Sequence, residues 1–150
     1  MKQSTKSVIA LLMCIITLFT FAACSGEKTN ENNGESVDSL WNNAMYKEDT
    51  TVGEGEKVFS LKVTVNEKSI VLTVNTDKNT VGEALEECGI VRGEEGPFGI
   101  FISHVNGIKA VYEEDGAYWG FKKDGEMLNT GADSTEIEIG AEYELAYTKA

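Results

Sequence analysis

The sequence predicts an α+β fold in which a mixed or antiparallel sheet is combined with one short helix. Apolar and polar residues alternate along several short stretches, which is typical of strands with one buried face. One stretch among them instead has apolar residues at helical spacing. The chain has 150 residues, 41% of them hydrophobic, so it is long enough for one compact domain with extra segments. We place that domain at residues 58–150.

The first two predicted strands form a hairpin. Residues 58–65 alternate strictly between apolar and polar side chains, and residues 69–75 repeat the pattern. The polar residues 66–68 between them suit a tight turn. We therefore expect an antiparallel pair whose apolar face is turned to the core.

A short helix is predicted directly after this hairpin. Thr80 and Glu83 form a capping box, in which each side chain satisfies a free backbone N–H of the first turn. The apolar stripe that follows has the spacing i, i+3, i+4 and i+7 and consists of Val81, Ala84, Leu85 and Cys88. Gly89 then ends the helix. The stripe makes Cys88 a buried small hydrophobe rather than a nucleophile.

The second half of the domain is predicted as a loop followed by hairpins and a last strand. Residues 91–99 contain three glycines and the only proline of the chain, which is typical of a loop. Asn106-Gly107 and Asp124-Gly125 are two-residue hairpin turns. The remaining strands are predicted at residues 100–105, 108–112, 118–123, 126–128 and 143–147. Two strands, one helix and further strands is the order of the ubiquitin-like β-grasp.

Residues 1–23 are predicted to be a lipoprotein signal peptide. Lys2 and Lys6 precede an apolar run over residues 8–21, which is too short to span a bilayer but usual for an export signal. The small residues before Cys24 resemble the lipobox of bacterial lipoproteins, which implies cleavage before Cys24 and acylation of its thiol. The protein would then lie on the outer face of the bacterial cell membrane. The alternative is an ordinary secretory signal with a chance cysteine.

Residues 24–57 are predicted to be the lipidated cysteine and a flexible acidic linker. Within them, residues 25–57 hold only seven apolar side chains in 33 positions, too few to offset the entropy of ordering the chain. Most of these form one apolar island, made of Leu40, Trp41, Ala44, Met45 and Tyr46. The island either docks on the domain or is an exposed contact site. With Cys24 acylated, Cys88 is the last thiol, so the domain must be stable without a disulfide.

The charge and the motif content of the chain exclude several functional classes. Its 25 acidic and 13 basic side chains give a formal charge of −12, which argues against nucleic acid or anionic lipid as partners. One histidine and three scattered cysteines, of which Cys14 lies in the predicted signal peptide and Cys24 is predicted to be lipidated, leave too few soft ligands for a structural zinc site. The acidic runs lack the spacing of a calcium loop. Nucleophile-elbow, phosphate-loop, dinucleotide-binding and metalloprotease motifs are absent. We therefore expect a protein that is not an enzyme and has no metal site.

Several short motifs follow one another in the second half of the domain. They are HVNGIKAVY (104–112), YWGF (118–121), DGE (124–126), TGAD (130–133) and GAEYEL (140–145). In this order they resemble a bacterial domain-of-unknown-function family that is similar to the C-terminal β-domain of transcobalamin and gastric intrinsic factor. Residues 39–46, 81–85 and 93–99 resemble lipid-anchored members from anaerobic Gram-positive bacteria.

This resemblance implies a corrinoid as the ligand. In transcobalamin-like proteins the domain covers a corrinoid with side chains around the Trp strand and the hairpin after it. The corresponding residues here are Tyr118, Trp119, Met127, Asn129 and Thr130. Phe98 and Tyr112 lie at loop edges, where they either line the same cleft or pack. Cobalamin or another corrinoid is thus the expected ligand, and no other cofactor is implied.

Two alternatives stay open at this stage. Trp119 alternates with Tyr118 along one strand, so one of the two faces is core and Trp119 either contacts the ligand or packs. The chain also lacks the large helical domain that supplies the other half of the corrinoid site in transcobalamin-like proteins. A corrinoid site would therefore be half-built, shared with a partner, or absent. In the last case we expect a protein–protein interaction module of the cell envelope with no small-molecule ligand.

Overall fold

The structure is a computed structural model that describes residues 37–150, and these form mostly β-sheet with a few short helices, an α+β arrangement. The strands are β1 (Thr50–Gly53), β2 (Lys57–Val65), β3 (Lys68–Thr76), β4 (Val91–Gly96), β5 (Gly99–Val105), β6 (Ile108–Lys109), β7 (Ala117–Lys123), β8 (Glu126–Met127) and β9 (Glu142–Lys149). The helices are α1 (Val37–Asn42), α2 (Val81–Glu87) and α3 (Tyr112–Asp115), with a 3₁₀ turn at Ala132–Ser134. The predicted signal peptide, Cys24 and linker residues 24–36 lie outside the described residues.

The strands of residues 37–150 form two sheets. The larger sheet has the order β1-β3-β2-β9-β7-β8, and β2 and β9 run parallel at its centre, with Leu61 opposite Tyr143. The antiparallel hairpin of β2 and β3 is confirmed. β7 pairs antiparallel with β9 on the other side. The smaller sheet has the order β4-β5-β6 and is antiparallel throughout.

The core is built from the inner face of the larger sheet, from α2 and from the smaller sheet. Leu61 of β2, Leu85 of α2 and Ile108 of β6 are fully buried in one cluster. Tyr143 of β9 belongs to the same cluster and stacks on Phe121 at 5.9 Å between ring centroids. Because the layers share these contacts, loops at the ends of the strands are held on a rigid support.

The predicted capping box of α2 is confirmed. The Glu83 N–H donates to Thr80 Oγ1 at 3.3 Å, and the Thr80 N–H donates to Glu83 Oε2 at 3.4 Å. The hydrogen bonds from the backbone N–H groups of Thr80 and Asn79 hold the pKa of Glu83 below its ordinary value, because they stabilise the carboxylate. Burial, followed by the charge of Glu87, raises the pKa of the Cys88 thiol. None of the helices within residues 37–150 is long and apolar enough to cross a membrane.

Residues 37–57, the described part of the expected flexible linker, are ordered by pairing and packing. β1 pairs in parallel with β3, and Trp41 of α1 is only 2% exposed within the core. Leu40 and Ala44 are buried beside it, whereas Met45 is exposed, so the apolar island docks rather than forming an exposed site. Residues 37–57 thus lie in the same compact unit as residues 58–150. The segment is mostly polar, but a few large apolar side chains on and beside one short helix bury enough surface to order it.

Two other predicted elements also differ in the structure. Residues 91–96 form strand β4 rather than a loop, because they pair antiparallel with β5 apart from one register shift after Arg92. Glycines are tolerated at such a sheet edge. The strand predicted over residues 108–112 ends at Lys109, and Tyr112 begins helix α3. That short helix closes with Gly116 at a φ of +60°, a conformation that glycine adopts without strain.

Candidate ligand-binding groove

An open groove lies between the tip of the β4–β5 hairpin and the loop that follows β8. Its volume is about 530 Å³, and it is lined by Pro97, Phe98, Gly99, Asn129, Thr130, Gly131 and Ser134. Three of the residues expected at a ligand site, Phe98, Asn129 and Thr130, therefore come together here. The groove joins segments that are about thirty residues apart in sequence, which only the folded hairpin brings into contact.

Asp133 in the 3₁₀ turn holds the two walls of the groove together. Its Oδ2 accepts a hydrogen bond from the Ile100 N–H at 2.5 Å, at the start of β5. Gly99 has a φ of +102°, and a Cβ there would lie 2.9 Å from the same Oδ2. A Cβ at Gly82 of α2 would overlap the other carboxylate oxygen. Glycine at both positions lets Asp133 approach the backbone this closely.

Threonine hydroxyls fix the loop that carries the second wall. The Thr135 hydroxyl donates to the Gly131 carbonyl at 2.9 Å, and its oxygen lies 3.2 Å from Thr130 Oγ1. The Val81 N–H donates to the Thr135 carbonyl at 2.9 Å, which ties the loop to the first turn of α2. The loop that forms the polar wall of the groove is therefore hydrogen-bonded to helix α2.

The groove presents an aromatic ring beside polar groups. Phe98 is 89% exposed, which is unusual for so large an apolar side chain. The amide of Asn129 and the hydroxyls of Thr130 and Ser134 stand on the same groove. A flat ring next to hydrogen-bonding groups suits a ligand with an apolar plane and a polar rim.

Trp119 is not among the residues that line this groove. Its side chain is 8% exposed and belongs to the core cluster, where the indole meets the Tyr147 ring edge-on at 5.6 Å. Along β7 the residues on the inner face are Ala117, Trp119 and Phe121, so the alternation places Tyr118 on the outer face. The structure thus selects the packing interpretation of Trp119.

The other three predicted residues also lie away from the groove lining. Tyr118, on the outer face of β7, is opposite Thr148 of β9. Met127 of β8 covers the same face, since a Cβ at Gly120 would lie 3.1 Å from its Cε atom. Tyr112 is exposed at the start of α3. The expected site therefore divides between the groove, the outer sheet face and α3.

Sequence reasoning did not single out several residues that shape the groove. They are Gly99, Gly131, Asp133 and Ser134. The signal present in the sequence was the run TGAD at 130–133, which carried a resemblance but no stated role. Within residues 37–150, no group of three or more His, Cys, Asp and Glu side chains is arranged to hold a metal ion.

The fold and the groove define a small α+β domain with an open, amphiphilic groove on its surface. The chain belongs to the family described as Domain of unknown function (DUF4430), which residues 78–149 match. The family recognised from the motifs, a domain of unknown function similar to the transcobalamin C-terminal domain, is confirmed. No curated protein matches the chain.

Two solved structures show what the domain is similar to. A "putative metal binding protein" from Ruminococcus gnavus ATCC 29149 is 32% identical with a TM-score of 0.59, and the match covers 63% of this chain and 99% of that one. Haptocorrin in complex with Cbi is 21% identical with a TM-score of 0.50, and the match covers 65% of this chain and 26% of haptocorrin. The chain thus corresponds to about a quarter of haptocorrin, and at that identity the likeness concerns the fold alone.

Proposed function

We propose that this protein is a small-ligand-binding module that captures a corrinoid, or a similar flat macrocycle, in the groove beside Phe98. The observation that carries the proposal is the 89% exposed Phe98 ring next to the Asn129 amide and the Thr130 hydroxyl. Such a ring can stack on the apolar plane of a macrocycle while the polar groups bond to its amide rim. The likeness in fold to haptocorrin, solved with Cbi, supports the same ligand class.

A ligand of this size would be covered on one side only. The groove is open, and its lining comes from one hairpin and one loop. Tight small-molecule sites bury most of their ligand's surface. We therefore propose modest affinity by this chain alone, and a partner surface that completes the site in the cell. Binding and delivery, rather than catalysis, is the proposed role.

The proposed fold type is a β-grasp. Its support is the strand order β3-β2-β9-β7, in which the first and last strands of the domain lie parallel at the centre. Helix α2 follows the first hairpin and packs against β3. Strand β1 and the β4-β5-β6 sheet are then additions to that plan.

The proposed location is the outer face of the cell membrane, with Cys24 as the lipid-bearing residue. Two or more acyl chains on one cysteine give stable anchoring, whereas a single chain is marginal. Metabolic labelling with palmitate should label the chain, and the Cys24→Ser variant should stay unlabelled. A labelled Cys24→Ser variant, or a product that keeps residues 1–23, would exclude this location.

Titration of the full chain in detergent with cobalamin tests the ligand proposal. We expect a saturable change in the cobalamin absorbance spectrum, weakened about tenfold by Phe98→Ala, because stacking area worth about 1.4 kcal/mol is removed. Phe101→Ala is the matched control: it removes a 60% exposed ring from the same hairpin, outside the groove. No spectral change at millimolar cobalamin, or equal weakening by both variants, would refute a corrinoid site in this groove.

A protein-interaction module of the cell envelope is the second candidate. The observation in its favour is that Phe98 and Phe101 both project from a hairpin whose outer strand, β4, has an unpaired edge within the described sheet. Unpaired edges can accept a strand from another protein. This function would be favoured if the parent chain binds a membrane protein stoichiometrically and both Phe98→Ala and Phe101→Ala lose that partner. Cobalamin should then cause no spectral change.

A further inference from the structure

The smaller sheet carries a row of three basic side chains on neighbouring strands. Arg92 of β4 lies directly opposite His104 of β5, and His104 lies directly opposite Lys109 of β6. Residues opposite each other in an antiparallel pair have their side chains on the same face, with Cα atoms about 4.5–5.5 Å apart. The three residues thus form one basic row, which we define as Arg92, His104 and Lys109.

This row is unexpected in so acidic a chain. Arg92 is the only arginine and His104 the only histidine, in a chain with 25 acidic and 13 basic side chains. A charge on His104 would lie directly opposite both Arg92 and Lys109, and like charges in that position destabilise a sheet. An anionic ligand would offset this repulsion once His104 is protonated.

A bulge in β5 orients the central histidine. The register passes from Arg92 opposite His104 to Gly93 opposite Ile102, so Ser103 is the extra residue. The Ser103 hydroxyl donates to the Arg92 carbonyl at 3.3 Å, and its oxygen lies 2.9 Å from His104 Nδ1. Because the Ser103 hydroxyl donates its proton to the Arg92 carbonyl, its oxygen accepts a hydrogen bond from the Nδ1–H of His104. Nε2 is then the nitrogen that gains a proton when the imidazole becomes charged.

Burial and the neighbouring charges determine the pH at which His104 becomes protonated. Burial, and after it the charges of Arg92 and Lys109, lower the pKa of His104. Lys109 is hydrogen-bonded to the Glu114 carboxylate of α3, and Asp115 also acts on Lys109. Within residues 37–150, Arg92 forms no ion pair of 4.0 Å or less. Arg92 is thus the available cation of the row, and His104 adds its charge only as the pH falls.

We propose that the basic row is a binding site for an oxyanion, the phosphate or carboxylate group of a ligand. The Arg92 guanidinium grips the oxyanion with two parallel N–H groups, and Lys109 contributes charge shared with Glu114. The protonated His104 adds an Nε2–H donor, so binding strengthens as the pH falls. The row lies five residues along β5 from Gly99, about 17 Å at the usual rise of a strand, so it is separate from the groove at the hairpin tip.

The single histidine of the chain makes this site directly observable. We propose titrating the full chain with sodium sulfate, and separately with sodium acetate, at constant ionic strength, while following the imidazole resonance of His104 by NMR. Sulfate keeps its charge across the range studied, so any pH dependence belongs to the protein. We expect saturable binding with a dissociation constant on the order of millimolar, and tighter binding at about pH 5.5 than at about pH 8. Tighter sulfate binding indicates a phosphate-type ligand, and tighter acetate binding a carboxylate.

Two variants separate a site from a general charge effect. Arg92→Gln should weaken anion binding about tenfold, since a charge-assisted bidentate contact is lost. Lys62→Gln removes the same charge from β2 of the other sheet and should leave binding unchanged. A response that does not saturate, that is equal in both variants, or that weakens at low pH would overturn the proposal. If sulfate leaves the His104 resonance unchanged while cobalamin still binds in the groove, only the anion site is refuted. If sulfate shifts the resonance while cobalamin does not bind, only the proposed function is refuted.

Discussion

Asn106 is the residue that joins the N-terminal segment to the smaller sheet. Its side chain is fully buried: Oδ1 accepts the Tyr46 N–H at 2.9 Å, and Nδ2 donates to the Tyr46 carbonyl at 2.8 Å. The same residue makes the β5–β6 turn, at a φ of +52° that asparagine tolerates better than most residues. One side chain therefore fixes a turn and a distant segment together.

Asn106→Ala should destabilise the fold through this double role. We expect a loss of about 2–4 kcal/mol, because two partly buried backbone groups of Tyr46 lose their partners and alanine is strained at positive φ. Asn66→Ala is the matched control, since Asn66 has a φ of +54° in an exposed turn. Urea denaturation of both variants gives the comparison. Equal losses would mean that turn strain alone accounts for the effect.

The turn at Asn106 could be predicted from the sequence, but its clamp could not. Asn-Gly is a local signal, because both residues adopt positive φ within two positions of each other. The partner of the Asn106 side chain is Tyr46, sixty residues away. A contact between residues so far apart in sequence cannot be predicted from a local pattern. The groove shows the same limit: Phe98, Asn129 and Thr130 were predicted, while the Asp133 contact that assembles them depends on tertiary structure.

At the scale of elements, helix α1 behaves as part of the core. Trp41 is buried against the rest of the cluster, and the Lys68 ammonium lies 4.9 Å from the centre of its ring. The chain then continues to β1, which extends the larger sheet beyond β3. The N-terminal segment therefore covers one end of the core and one edge of the sheet.

Trp41→Ala tests this arrangement. We expect a loss of about 3–5 kcal/mol in the free energy of unfolding, as for other fully buried large-to-small changes. Met45→Ala, in the same segment but exposed, should cost less than about 0.5 kcal/mol. Thermal unfolding followed by circular dichroism would report both. If Trp41→Ala unfolds at the same temperature as the parent, the segment contributes nothing to the core.

The elements that the sequence predicted well are those specified by local signals. The β2–β3 hairpin and the capping box of α2 each depend on residues within a few positions. Two glycines and two glutamates make up four of the six residues of strand β4, so its own composition favours a loop. Only the pairing with β5 makes it a strand. β1 depends in the same way on β3.

At the scale of the whole molecule, the excess of acidic groups should oppose folding. The chain carries a formal charge of −12, and its four described ion pairs within residues 37–150 are mostly exposed. Exposed pairs contribute little, about 0–1 kcal/mol each. Repulsion among the remaining carboxylates is therefore the larger electrostatic effect, and it is weakened by salt.

Added salt should stabilise the protein for this reason. Raising NaCl from about 0.02 M to about 0.5 M shortens the screening length from about 20 Å to about 4 Å. We expect the midpoint of thermal unfolding to rise by several degrees, which corresponds to about 1 kcal/mol for a domain of this size. KCl should act equally, since screening does not depend on the cation. A fall in the midpoint with salt would show that the ion pairs dominate.

The parallel pairing of β2 with β9 has a consequence for biosynthesis. β2 emerges from the ribosome early, but its neighbour at the centre of the sheet is made only when residues 142–149 are translated. Until then Leu61 and Val63 lack their final partners, and β2 keeps one open edge on which chains can aggregate. The centre of this sheet is therefore completed only after β9 has been synthesised, and a nascent chain needs protection until then.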